Sequence, residues 1–157
     1  MKLRIVAVGG RPPAWVEAAC EEFRRRFPPH CPLELSIIAT PRRGRNPDIA
    51  RLREQEYRSM AARVPAGAAV VALAESGRAM TTAQLAQQLD RWMQAGRDVA
   101  FLIGGPDGLA PAALNAAGQR WSLSALTLPH ALVRIIVAEQ LYRAFCILSD
   151  HPYHRGH

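Results

Sequence analysis

Three stretches of the chain hold residues whose types and spacing could do chemistry. Near the C-terminus, Tyr153-His154-Arg155 follows His151-Pro152 and sets a ring, an imidazole and a guanidinium side by side. Such a set can stack on a nucleobase, move a proton and hold a negative charge. His151 and His154 have H-x-x-H spacing, but no cysteine and no His-Glu helical pair completes a ligand set, so no metal is expected. Ser122, Ser124 and Thr127 offer hydroxyls, yet no G-x-S-x-G elbow surrounds them, which argues against a serine nucleophile. The loop Gly104-Gly105-Pro106-Asp107-Gly108 is neither G-x-G-x-x-G nor a P-loop, since no Gly-Lys-Ser/Thr follows. Nicotinamide cofactors and nucleoside triphosphates are therefore poor candidates. Adjacent glycines instead let backbone amides and carbonyls approach a ligand closely.

These stretches need elements to position them, and the hydrophobic pattern supplies an alternating order. Leu3 to Val8 is an apolar, β-branched run ended by Gly9-Gly10, and reads as a strand. From Ala14 to Phe27, Trp15, Ala19, Phe23 and Phe27 recur every fourth residue, which predicts an amphipathic helix stopped by Pro28-Pro29. Leu33 to Ala39 gives a second strand. Asp48 can cap a helix through Arg63, with Ile49, Leu52, Tyr57, Met60 and Val64 on its apolar face. Ala68 to Leu73 predicts a third strand, Thr81 and Gln84 a capping box for a helix stopped at Gly96, and Val99 to Ile103 a fourth strand. A short helix from Pro111, a short strand and hydroxyl-bearing loop within 121–128, and a long helix from His130 to Ser149 complete the chain. That last helix is apolar around much of its circumference and needs cover on more than one side. The order predicts an α/β fold in a single domain over 1–157, a mostly parallel sheet flanked by helices. In such sheets ligands bind at the carboxyl ends of strands, where the glycine and hydroxyl loops fall.

At 157 residues the chain can bury about 68–70% of its unfolded surface, enough for one ordinary domain. Hydrophobic residues at 49% and charged residues at 21% exclude a disordered chain and favour a compact soluble one. The formal net charge of +7 is uneven, with +6 in residues 1–64 and +1 in the remainder. Nineteen of the twenty basic side chains are arginine, which suits bidentate recognition of phosphate, and an anionic partner such as nucleic acid is expected. Within the breaker-rich loop Pro41 to Pro47, Arg42, Arg43 and Arg45 are the candidate phosphate contacts. Three cysteines without C-x-x-C spacing fit a reducing cytosol, and neither a signal peptide nor a membrane span is expected.

Four motifs in order carry a resemblance: Phe101-Leu-Ile-Gly-Gly-Pro-Asp-Gly-Leu109, Ser122-Leu-Ser-Ala-Leu-Thr-Leu-Pro-His-Ala-Leu-Val-Arg134, Ala138-Glu-Gln-Leu-Tyr-Arg-Ala144 and His151-Pro-Tyr-His-Arg155. With them the chain resembles, over nearly its whole length, the ribosomal large-subunit methyltransferase H family (RlmH) of the SPOUT class. The resemblance implies a SPOUT-type fold with a C-terminal trefoil knot, a homodimer, a cytoplasmic location and S-adenosylmethionine as cofactor. It also implies methylation of N3 of a pseudouridine in helix 69 of 23S rRNA, in the ribosome. Carried over by motif, the cofactor falls to Leu73, Gly104, Gly105, Ser124, Ala125, Leu126, Thr127, Leu128 and Pro129.

A sulfonium is cationic and already activated, so its pocket calls for carbonyls and apolar walls and not for a lysine or arginine cluster. The acceptor nitrogen carries a proton, whose removal leaves an anion to be stabilised. Tyr153, His154 and Arg155 are the candidates for that work, with His130 and Arg134 as supports and Arg134 also placed toward RNA. The chain departs from the family pattern at Tyr57, where a glycine is common, and at Ala74-Glu75, where an Asp usually follows the strand-three leucine. It also ends Gly156-His157, two residues beyond the matched arginine. Two other readings compete: a non-catalytic RNA-binding module, which would ignore S-adenosylmethionine, and a SPOUT methyltransferase acting on another RNA.

Overall fold

The computed structural model describes residues 1–155. Strands β1 (Leu3–Val8), β2 (Leu33–Ile38), β3 (Ala69–Ala79), β4 (Val99–Ile103) and β5 (Gln119–Ser122) alternate with helices α1 (Ala14–Arg24), α2 (Ile49–Ala61), α3 (Thr82–Gln94) and α4 (Pro111–Ala116). Helix α5 (His130–Leu148) and a 3-10 turn at Pro152–Arg155 follow. The sheet order is β2-β1-β4-β3-β5, with every neighbouring pair parallel. The expected α/β architecture is present.

Crossovers between parallel strands are right-handed because a right-twisted strand packs its return helix back onto the sheet only that way. The chain steps in one direction along the sheet from β1 to β2 and from β3 to β4, and in the other from β2 to β3 and from β4 to β5. That rule puts α1 and α3 on one face and α2 and α4 on the other. The two cores agree with it. Ile5, Val71 and Phe101 meet Leu85, Leu89 and Trp92 of α3 on the first face, whereas Val6, Val8 and Leu102 meet Met60 of α2 and Ala113 of α4 on the second. On the first face Trp92 stacks on Trp121 at 5.9 Å between centroids and meets Phe101 edge-on at 6.1 Å. Such pairs add about 0.5–1.5 kcal/mol each beyond burial.

After edge strand β5 the chain turns back, and α5 packs between α1 and α3 on the first face. These two helices supply the cover that its wide apolar circumference demands, burying Val137, Ala138, Leu141, Tyr142 and Ala144 within the subunit. Three local expectations differ. Helix α1 ends at Arg24 and buries Val16 and Cys20, while Trp15, in its first turn, is 59% exposed. On α2 a carboxylate, Glu56, takes the buried position between Leu52 and Met60. Strand β3 continues beyond Leu73 to Ala79, and its pairing with β5 shifts register between Leu73 and Arg78. The continuation requires Gly77, because a Cβ there would come within 2.5 Å of the Trp121 backbone. Among the described residues no helix is long and apolar enough to cross a membrane.

Candidate cofactor and substrate site

The segments following β3 and β4 leave toward opposite faces, so a crevice opens at the carboxyl ends of these neighbours. Strand β4 is buried along its whole length and delivers the chain to the glycine loop. Gly104 is required by close approach, since a Cβ would stand 2.6 Å from the carbonyl carbon of Gly108. Gly108 itself sits at φ 78° and its N–H donates to the Gly105 carbonyl at 3.0 Å, which folds the loop back on itself. Residues 123–129 then run from β5 across the crevice to the start of α5. Two short bonds shape this crossing: Ser122 Oγ donates to the Ser124 carbonyl at 3.0 Å, and the Leu126 N–H donates to Ser124 Oγ at 2.9 Å.

The result is a cavity of about 570 Å³, inside the usual range for small-molecule sites. Its walls include Leu73, Gly104, Gly105, Ser124, Leu126, Thr127, Leu128 and Pro129, eight of the nine residues expected to hold the cofactor. Ala125 is exposed and is not part of the wall. Ile103, Leu109, Leu114, Trp121 and Val133 add apolar wall beyond the expected residues; their signal in the sequence was apolar character around the end of β4, the start of α4, β5 and the start of α5. Gly105 contributes backbone, but a side chain on it would point behind the loop, toward Val8 Cγ1 at 3.2 Å, and not into the cavity. Among the described wall residues none is Lys or Arg, and the one carboxylate is Glu75.

His130, the first residue of α5, also lines the cavity, and its Nε2 lies 2.9 Å from where a Cβ on Gly9 would stand. Burial, reinforced by the nearby Arg134 guanidinium, holds its pKa below the ordinary imidazole value. The ring is therefore neutral at neutral pH and able to accept a proton. Arg134 is 1% exposed, with Nη2 donating to the Val8 carbonyl at 2.9 Å and Nε without a hydrogen-bond partner among the described residues. Burial lowers its pKa. Its guanidinium braces the end of β1, and a phosphate contact from it does not fit this placement.

The tail sits elsewhere. Tyr153 donates its hydroxyl proton to Glu139 Oε1 at 3.1 Å, under the Arg143 guanidinium at 4.9 Å from the ring centroid and beside the Tyr142 ring at 4.8 Å. Burial, then the Glu139 carboxylate, raises the phenol pKa, so Tyr153 is a donor and not a base at neutral pH. His154 Nδ1 lies 2.5 Å from the His151 carbonyl oxygen, which can only accept. Nδ1 is therefore the donor in this contact. Arg155 is exposed, 3.9 Å from Asp150. Helix α5 has 19 residues, roughly 28 Å at 1.5 Å per residue. Within one subunit the structure thus places His130 and His154 at opposite ends of a helix and does not bring them together. Gly156 and His157 lie outside the described residues. Arg42 and Arg45 are exposed, as phosphate contacts would be, whereas Arg43 is ion-paired with Asp107 of the glycine loop.

By shape the chain is similar to several solved structures. A probable methylase family protein from Haemophilus influenzae Rd KW20 matches with TM-score 0.58 at 12% identity, over 96% of this chain and 69% of that one. A probable methyltransferase from Bordetella pertussis Tohama I matches with TM-score 0.58 at 18% identity, over 90% and 95%. TrmJ from Z. mobilis ZM4 matches with TM-score 0.51 at 21% identity, over 90% and 69%. At these identities the likeness concerns the fold. The sequence pattern of the family described as predicted SPOUT methyltransferases matches residues 1–154. With that match spanning almost the whole chain, and the five-stranded parallel sheet beneath it, this protein belongs to the SPOUT methyltransferase family.

Proposed function

We propose that the protein uses S-adenosylmethionine to methylate N3 of a pseudouridine in helix 69 of 23S rRNA, as a cytoplasmic homodimer acting on the ribosome. The observation that carries the cofactor half of this reading is the lining of the cavity. A chain with twenty basic side chains keeps every Lys and Arg out of the described wall and offers backbone, apolar groups and one carboxylate instead. Such a lining repels no sulfonium and gives a phosphate little to bind, the opposite of a nucleotide site. When bound there, S-adenosylmethionine supplies a methyl group on a cationic sulfur, an electrophile that needs no further activation.

The remaining work falls to side chains of this protein. His130, with its pKa held below the ordinary imidazole value and its ring on the cavity wall, is suited to take the N3 proton. Tyr153, His154 and Arg155 are suited to stack on the base, accept a hydrogen bond and hold the resulting negative charge. Since the tail lies a helix length from the cavity of its own subunit, this reading takes the tail from a second copy of the chain. A homodimer follows, along with the trefoil knot implied by the family resemblance.

Mapping of 23S rRNA by mass spectrometry tests the reading. Helix 69 from cells lacking the protein should miss one methyl group on a pseudouridine, and purified protein with S-adenosylmethionine should restore it. A methyl group missing from another RNA would reassign the substrate. Failure to bind S-adenosylmethionine would favour a non-catalytic RNA-binding module.

A further inference from the structure

Two loops expected to serve different ligands touch each other. Arg43, in the basic loop between β2 and α2, donates from Nη2 to Asp107 Oδ2 in the glycine loop after β4. Behind this pair stands Glu56 of α2, which is 4% exposed. Its Oε1 would lie 3.8 Å from a Cβ on Gly105. Arg53, one turn earlier on α2, has a buried Nε with no hydrogen-bond partner among the described residues. Burial, and after it the Asp107 carboxylate, pushes the Glu56 carboxyl above its ordinary range, while Arg43 and Arg53 pull it down. Two carboxylates and two guanidiniums therefore share one corner beneath the cofactor loop.

That grouping fixes Arg43. Drawing it away would leave Glu56 and Asp107 as neighbouring like charges with Arg53 against them, an arrangement in which the two carboxylates repel. A phosphate must accordingly come to Arg43, beside the cofactor loop, instead of pulling Arg43 outward. The guanidinium has donors to spare, because a planar fork with five N–H groups gives Asp107 one of them. The Arg43 side chain is 36% exposed, so those donors are open to a ligand.

We propose that Arg43 is a bridging residue that joins an RNA phosphate to Asp107 of the glycine loop, so that RNA docking and S-adenosylmethionine binding strengthen each other. Asp107 and Glu56 are its positioning residues. The inference rests on the reading above, in which the arginine loop meets RNA and the cavity holds S-adenosylmethionine. Each ligand, by ordering the same ion pair, lowers the cost of binding the other, and the two effects must be equal.

The test measures binding to ribosomes from cells lacking the protein, by sedimentation, with and without saturating S-adenosylhomocysteine, which has no methyl group to transfer. For the parent protein, ribosome affinity should rise about 5-fold or more when that compound is present. Arg43→Ala and the nearly isosteric Asp107→Asn should each bring the ratio close to one, and the double variant should change it no further. Arg42→Ala should weaken ribosome binding while keeping the ratio, and Arg43→Lys should restore part of it. A parent that binds both ligands with a ratio of one overturns the proposal, as does an Arg43→Ala variant with the parental ratio. A parent that binds S-adenosylhomocysteine or ribosomes not at all overturns the underlying reading, which the two separate titrations reveal directly.

Discussion

At its first turn α5 presses His130 and Arg134 against Gly9, and the Arg134 guanidinium is tied to the Val8 carbonyl in a fully buried contact. At its last turn the chain leaves into a tail that rests on α5 through partly exposed side chains: the Tyr153 hydroxyl on Glu139, the Arg143 guanidinium over the ring, and Arg143 donating to the Tyr153 carbonyl at 3.3 Å. Both ends present an imidazole and an arginine, but Arg134 is buried on the backbone of β1, whereas Arg155 is exposed and His154 bonds within the tail itself, to the His151 carbonyl. Partly exposed ion pairs and cation–π contacts contribute up to about 1 kcal/mol each. Under the proposed function, position is fixed where the cofactor would be met and more loosely held where the tail would reach a second copy of the chain.

The largest effect expected from breaking this comparison is at the tail. Deleting residues 153–157 should abolish methylation while leaving S-adenosylmethionine affinity, measured by calorimetry, within about 2-fold of the parent, because the described cavity wall runs from Leu73 to Val133 and takes none of its residues from the tail. Mixing tail-deleted subunits with subunits whose cavity is blocked by Leu128→Arg should restore activity, since one site of the mixed dimer pairs an intact cavity with an intact tail. Continued inactivity in a demonstrated heterodimer would place the tail in its own subunit.

At the buried end, His130→Gln should lower the single-turnover rate by about 10²-fold or more, as loss of a positioned base does. With the folded pKa depressed, the neutral ring persists below the ordinary imidazole value of 6.5. The parent rate should accordingly hold through that pH and fall only as the medium becomes more acidic, and the variant should lack this limb. The stability contributed by the same ring is present above 6.5 and is lost as pH falls through the lower folded value.

Gly9→Ala sharpens the same contrast through the backbone. At φ 140° with Arg134 Nη2 2.5 Å from the new Cβ, it should cost about 1–3 kcal/mol in thermal or denaturant unfolding and displace both His130 and Arg134. The smallest effect belongs to Glu139→Gln, which removes the carboxylate beneath Tyr153 and should change stability by about 1 kcal/mol or less. A cost as large as that of Gly9→Ala would mean that the tail is not loosely held.

The parts of the site that could be read in the sequence share a cause. Strand β4 is an unbroken apolar run that stops at paired glycines, and the structure keeps it between Val99 and Ile103 with every residue buried. The capping box of α3, Thr81 with Gln84, forms as its spacing predicts. What could not be read depends on partners distant in sequence. Trp15 fits a helical stripe by periodicity, yet the stripe does not say that α1 would turn only Val16 and Cys20 fully inward. Glu56 looks like surface until the glycine loop closes over it. The polar run Glu75 to Arg78 resembles a loop because nothing local shows that Gly77 lies on the backbone of Trp121. Arg43 and Asp107 carry no sequence signal of their pairing, which arises where the loops after β2 and β4 meet at the carboxyl end of the sheet.

The strand order also governs when this site can exist during synthesis. Strand β1 pairs with β2 on one side, but its other neighbour is β4, where Leu3 meets Val99. At about 5–20 residues per second the ribosome needs roughly 5–20 s to make the intervening hundred residues. Throughout that interval Ile5, Val6, Ala7 and Val8, all without exposure in the finished protein, have an open hydrogen-bonding edge. Nascent chains halted before β4 should therefore be bound by chaperones and be unable to retain S-adenosylmethionine. The capacity to hold that cofactor should appear only after the crossing segment 123–129 has emerged, making it a late marker of folding.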